Sequence, residues 1–233
     1  MGATDDLLDD IFAGRRPALY LEFEGWLRGS RRFRAFAGEH RAKIRAKLKN
    51  APDEAGLQDV RAELETAALL LGDRRFSLEY EKYVASKGRG PDFTVTYKTH
   101  TPFNVEVRRL RRAELEGVDG EATTGKFMAL LVDKVGQMPP SIVNLLWLTA
   151  EGELAEADLT AAASALRHLA ERKEEAYFRR RGFKSAADFL KQYSRLSGIV
   201  APKGSEIQVW QNPLARHKAR PEIVTALRRL AAI

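Results

Sequence analysis

The 233-residue chain contains no cysteine, which excludes disulfide bridges, thiolate metal centres and cysteine nucleophiles. It also lacks any apolar run of the roughly eighteen residues that a membrane helix needs. Its first residues are acidic where a signal peptide would be basic, so neither a membrane partner nor export is expected and a cytoplasmic location is predicted. Histidine is scarce: His40, His100, His168 and His217 are scattered without a paired ligand spacing, and each reads as a surface residue. There is no glycine-rich phosphate loop, no serine nucleophile elbow and no internal repeat. No Gly- or Ser-rich linker interrupts the chain, which predicts one compact unit.

What is present is an ordinary apolar content, 44% hydrophobic residues, with a net charge of +7. The basic excess is concentrated. Between residues 15 and 49, eleven Lys or Arg residues face three Glu, a local charge of +8. Tyr20, Phe23, Trp26, Phe33 and Phe36 lie in the same stretch. The pattern predicts two basic, aromatic-containing helices separated by Gly29-Ser30, with the aromatics docking on the remainder of the chain. Arg28, Arg31, Arg32, Arg34, Arg41, Lys43, Arg45 and Lys47 are then candidate nucleic-acid contacts, since such a surface attracts a phosphate backbone whatever its sequence. A solvated charged face is the competing reading of the same residues.

Downstream, Asp53 can cap a helix in which Leu57, Val60, Leu64, Ala67 and Leu71 recur at three- and four-residue spacing up to Gly72. Phe76, Leu78 and Tyr80 alternate with Ser77, Glu79 and Glu81, as in a half-buried strand. Two further alternating segments follow. In the first, Phe93, Val95 and Tyr97 oppose Asp92, Thr94, Thr96 and Lys98; in the second, Phe103, Val105 and Val107 oppose Asn104, Glu106 and Arg108. A hairpin turning near His100 would set Asp92 opposite Arg108 and diagonal to Glu106, with the two acids' Cβ atoms roughly 7 to 8 Å apart. Two carboxylates so placed can share Mg²⁺ or Mn²⁺, hard ions that bind oxygen. Asp92 and Arg108 as a plain cross-strand ion pair is the alternative. A helix over 126–138, stopped by Pro139-Pro140, and a doubly buried strand over 142–148 complete this region.

Pro91-Asp92, followed by Glu106-Val107-Arg108, resembles the signature of the PD-(D/E)xK nuclease-like superfamily, and the resemblance extends over roughly residues 54–148. It implies an α/β fold with a restriction-endonuclease-like core of helix, three antiparallel strands, helix and strand. Three regions follow: a basic helical arm (1–51), the core (52–150) and an α-rich extension (151–233) packed on it. The resemblance also implies Mg²⁺-dependent phosphodiester hydrolysis, with Asp92 and Glu106 as metal ligands and DNA favoured over RNA as partner. Arg108 departs from the pattern, which has lysine there; arginine keeps its charge but cannot act as a base. Lys98 on the strand, or Lys134 and Gln137 on the following helix, are the candidate replacements. A further acid is expected from the first helix. Glu63 lies roughly 75° from the centre of the apolar stripe and Glu65 roughly 125°, so Glu63 is preferred, with Glu79 and Glu81 as alternatives. A nuclease-fold protein that has lost catalysis and acts as a nucleic-acid-binding or protein-interaction module is the competing outcome of the missing lysine.

Towards the C-terminus, Asp158 can cap a helix through Leu159, Leu166 and Leu169, and Ser185 begins a capping box. Ile207 to Trp210 reads as a strand, and Pro221 opens a last helix.

Overall fold

The computed structural model describes residues 2–83, 90–111, 120–150 and 156–230. Four helices come first: α1 (Ala3–Phe12), α2 (Leu19–Gly29), α3 (Arg31–Glu39) and α4 (Arg41–Asn50). The expected second basic helix is therefore two, separated at His40. Ser30 caps α3 by accepting from the Phe33 amide.

The expected core order follows. α5 (Glu54–Gly72) is capped by Asp53, whose side chain accepts from the Gly56 amide. Then come β1 (Phe76–Tyr80), β2 (Phe93–Tyr97), β3 (Thr101–Leu110), α6 (Gly120–Val135) and β4 (Asn144–Ala150). α6 begins earlier than its apolar spacing suggested, so Gly125 lies inside it instead of before it. The turn expected from Lys87-Gly88-Arg89-Gly90, between β1 and β2, lies outside the described residues except for Gly90.

The C-terminal third holds α7 (Glu156–Glu171), α8 (Glu175–Arg179), α9 (Ala186–Tyr193), β5 (Leu196–Lys203), β6 (Glu206–Gln211) and α10 (Pro221–Arg228). Asp158 sits in the first turn of α7, while Ser185 caps α9 and Pro221 opens α10 as read from the sequence. β5 was hidden by Gly198 and Pro202, both of which normally interrupt strands. Gly198 is required there: a Cβ would come within 2.5 Å of the Trp210 carbonyl oxygen on β6.

All six strands form one sheet in sequence order. β1, β2 and β3 are mutually antiparallel, β3–β4 and β4–β5 are parallel, and β5–β6 is antiparallel. Period-two alternation divides the side chains between two cores. One joins α1 to α5 and α10 to the sheet through Phe23, Phe33, Phe93, Val105 and Trp147. The other packs α6 to α9 over Leu146, Leu148 and Ile199. The N-terminal helices thus share a continuous core with the sheet. The polar side of β2 and β3 is no solvated face either: Thr94 and Asn104 are buried beneath this second layer and hydrogen-bonded to each other at 3.0 Å. No described helix is long and apolar enough to cross a membrane.

Candidate active site

The hairpin joining β2 to β3 turns around Thr99, with Tyr97 paired to Thr101. Lys98 and Thr99 both adopt positive φ, +49° and +68°, which tightens the turn by one position relative to the expected centre at His100. This one-position shift alters the site. The last ladder pair is Phe93 with Val105, so one step further Asp92 stands opposite Glu106 and not Arg108. The two acids are therefore direct cross-strand neighbours, nearer than the diagonal pairing would allow.

Asp92 is anchored on both sides. Its Oδ2 accepts from the Val107 amide at 2.8 Å, and its carbonyl accepts from the Glu81 amide at 2.7 Å. Burial pushes the Asp92 carboxyl well above the usual aspartate range, and the charges of Glu63 and Glu106 push it further; the Val107 amide and Lys47 oppose them only in part. Glu63 belongs to α5 on the first side of the sheet and Glu106 faces α6 on the second. Both act on the acid at the end of the ladder between them.

Each neighbouring acid has its own cation. Glu106 accepts from the Lys134 ammonium at 2.7 Å, with the side chains only 12% and 16% exposed. Glu63 accepts from the Tyr80 hydroxyl at 2.7 Å and from Lys47. Lys47 also reaches Glu81 at 2.7 Å, and Lys43 approaches the same carboxylate at 3.3 Å. Burial alone would raise the Glu81 carboxyl, but its bonds to Lys47 and Lys43 prevail and hold it below the usual range. Tyr80 is raised by burial and by the adjoining Glu63 charge, so its hydroxyl stays protonated and donates.

The structure thus gathers Asp92, Glu106, Glu63 and Lys134, and leaves other candidates elsewhere. Lys98 is exposed at the opposite end of the hairpin, its ammonium 5.3 Å from the Tyr97 ring centre, and is too far along β2 to replace a lysine beside Glu106. Gln137, just past α6, donates to the Asp133 carbonyl at 3.3 Å and lines a small pocket with Pro91, Glu106 and Lys134. Arg108 follows Glu106 by two residues on the same side and borders a separate cavity of about 330 Å³ with Lys126, Phe127 and Asp133. Of the alternative acids, Glu65 pairs with Arg61 and Glu79 with Lys82.

Most of the N-terminal basic residues make contacts within the fold. Arg28 bonds Glu24 and Asp5; Arg41 and Arg45 share Asp10. Arg32 donates to the carbonyls of Leu71, Asp73 and Phe76, tying α3 to the end of α5 and the start of β1, and Arg34 donates to the Leu27 carbonyl. Arg31 is exposed. Lys43 and Lys47 belong to the acid cluster, a role the sequence reading missed. The available signal was their i, i+4 spacing beside Ile44 and Leu48, both of which are buried.

Among the described residues, no three carboxylates or imidazoles already stand close enough together to hold a metal ion. No family model, curated protein or solved structure matches the chain.

Proposed function

We propose that the paired end of β2 and β3 binds a divalent cation and hydrolyses phosphodiester bonds, with nucleic acid as the substrate class. The observation that carries this reading is the position of Asp92: a carboxyl repelled by Glu63 and Glu106 and incompletely compensated by Lys47. Unrelieved charge of this kind is a mark of functional sites, and carboxylate oxygens are the donors that Mg²⁺ and Mn²⁺ prefer. Asp92 and Glu106 would hold the ion, with Glu63 as the third oxygen donor.

Bound there, the ion would supply Lewis acidity and relieve the mutual repulsion of the acids. The remaining work belongs to the chain. Lys134 brings from α6 the ammonium that the motif's third position lacks, and its bond to Glu106 places it beside the carboxylate. The Arg108 guanidinium, two residues on, offers a fixed charge able to fork onto phosphate oxygens and stabilise charge accumulating there. Water adds to phosphorus, the ester P–O bond breaks, and a proton of that water ends on the leaving oxygen, giving a phosphomonoester and an alcohol. The resemblance of Pro91-Asp92 and Glu106-Val107-Arg108 to the PD-(D/E)xK pattern, the matching element order and the overall charge of +7 support the same reading.

The test is incubation of plasmid DNA, branched DNA and RNA with the full-length protein and Mg²⁺ or Mn²⁺. Cleavage that requires the ion and disappears in Asp92→Asn and Glu106→Gln is expected. Cleavage that survives those changes contradicts the assignment. Two observations favour a second reading, a nuclease-like protein without catalysis: the acids lack ready-made three-ligand spacing among the described residues, and ammonium groups already hold Glu63 and Glu106. That protein would fold normally and leave every substrate intact with either ion.

A further inference from the structure

A second concavity of about 350 Å³ lies where the C-terminal ends of β3 and β4 meet α5 and the β5–β6 turn. None of its lining residues belongs to the acid cluster. Its size suits a small ligand, and open α/β sheets commonly receive ligands outside the carboxyl ends of parallel strands.

Two of the residues in its wall carry buried polar atoms with no hydrogen-bond partner among the described residues, the indole Nε1 of Trp147 and the hydroxyl of Thr149. They are two residues apart on β4 and so share its α5-facing side, where Trp147 packs fully buried in the first core. Burying a donor without an acceptor is costly, and such groups in native folds call for a missing partner. The rim carries Arg61 and Glu65, while Arg109 lies buried in the wall and is held by Asp59 at 2.9 Å and the Ala55 carbonyl at 2.8 Å. Arg61 is divided between Glu22 at 2.7 Å and Glu65 at 3.4 Å, and burial raises the Glu65 carboxyl against the opposing pull of Arg61. Ala62, Leu69 and Ile207 complete an apolar lining. An indole N–H and a guanidinium can only donate, so the complement of this wall is an acceptor-rich, negatively charged head on an apolar body.

We infer that this cavity binds a small amphipathic organic anion, a carboxylate or phosphomonoester, whose oxygens accept from Trp147 and Thr149 beside Arg61 while its apolar body packs on Ala62, Leu69 and Ile207. The chain has three tryptophans, Trp26, Trp147 and Trp210, so a ¹H–¹⁵N spectrum of the full chain shows three indole signals. Trp147→Phe assigns the relevant one; if that variant does not fold, Trp26→Phe and Trp210→Phe assign it by elimination.

Octanoate and phenyl phosphate are titrated against their neutral counterparts, 1-octanol and phenol. The Trp147 signal is expected to move downfield and saturate with one of the two anions, roughly tenfold or more tightly than with its neutral counterpart. Whichever anion saturates identifies the head group. Arg61→Gln should weaken binding roughly fivefold, and Asp92→Asn should leave it unchanged, which separates this cavity from the cation site. A Trp147 signal that stays fixed with both anions, or moves equally with the neutral compounds, overturns the inference.

Discussion

Two polar clusters lie within two residues of each other on β2 and β3, and they are built in opposite ways. In the first, Thr94 donates to Asn104, Asn104 donates to Asn144 at 3.0 Å, and Asn144 donates to the carbonyls of Pro139, Ile142 and Arg195. Ser197 extends the belt to the Asn144 amide and the His217 carbonyl. These groups are neutral and bonded, and they tie four strands together. In the second cluster, Asp92 lies between Glu63 and Glu106 with its carboxyl well above the usual range because burial and like charge both oppose ionisation. A satisfied neutral network specifies a fold; acids held together against their repulsion are conspicuous as a site.

The contrast can be broken by mutation, and the largest effect belongs to the belt. Asn144→Ala strands the Asn104 amide and three carbonyls, so a loss of about 3 kcal/mol or more is expected in urea denaturation. A loss under about 1 kcal/mol would show the belt to be incidental. Lys134→Met is next, costing about 2 kcal/mol because Glu106 is left nearly buried and unpaired, while Lys134→Met combined with Glu106→Gln should recover most of that loss.

Asp92→Asn should act in the opposite direction, stabilising the fold by about 1 kcal/mol at neutral pH. A carboxyl raised in the folded state binds its proton more tightly there than in the unfolded chain. Native stability carried by Asp92 is therefore greatest in acid and falls as pH rises from the ordinary 3.8 through the raised value. The gain from Asp92→Asn should accordingly grow as pH rises above 3.8 and vanish towards acid, as followed by thermal melts across pH. The smallest change is expected far from both clusters: Arg45→Ala removes an exposed bond to Asp10 and should shift stability by no more than about 0.5 kcal/mol.

Much of the architecture was legible from local patterning. α5, β1 and the β2–β3 hairpin follow from the Asp53 cap and the alternation of Phe93, Val95, Tyr97, Phe103, Val105 and Val107. Register was less accessible, because it rests on positive φ at Lys98 and Thr99, residues that seldom adopt it. β5 was obscured because Gly198 looks like a breaker until its approach to Trp210 is seen. Of the candidate site, Asp92 and Glu106 came from strand alternation and the motif, Lys134 from the motif's missing lysine, and Glu63 from helical periodicity once a further acid was expected on the first helix. Lys47 and Tyr80 could not be placed, since their role depends on how α4 packs across β1. The packing of α4, together with that of α3 against the end of α5 and the start of β1, turned Arg32, Lys43 and Lys47 from a surface array into internal contacts.

If the crowded acids form a cation site, calorimetric titration of Mn²⁺ into the full-length protein shows it most directly. Saturable binding that disappears in Asp92→Asn, although that variant is the more stable protein, is the predicted result. Absence of binding, or binding that Asp92→Asn leaves intact, would contradict it.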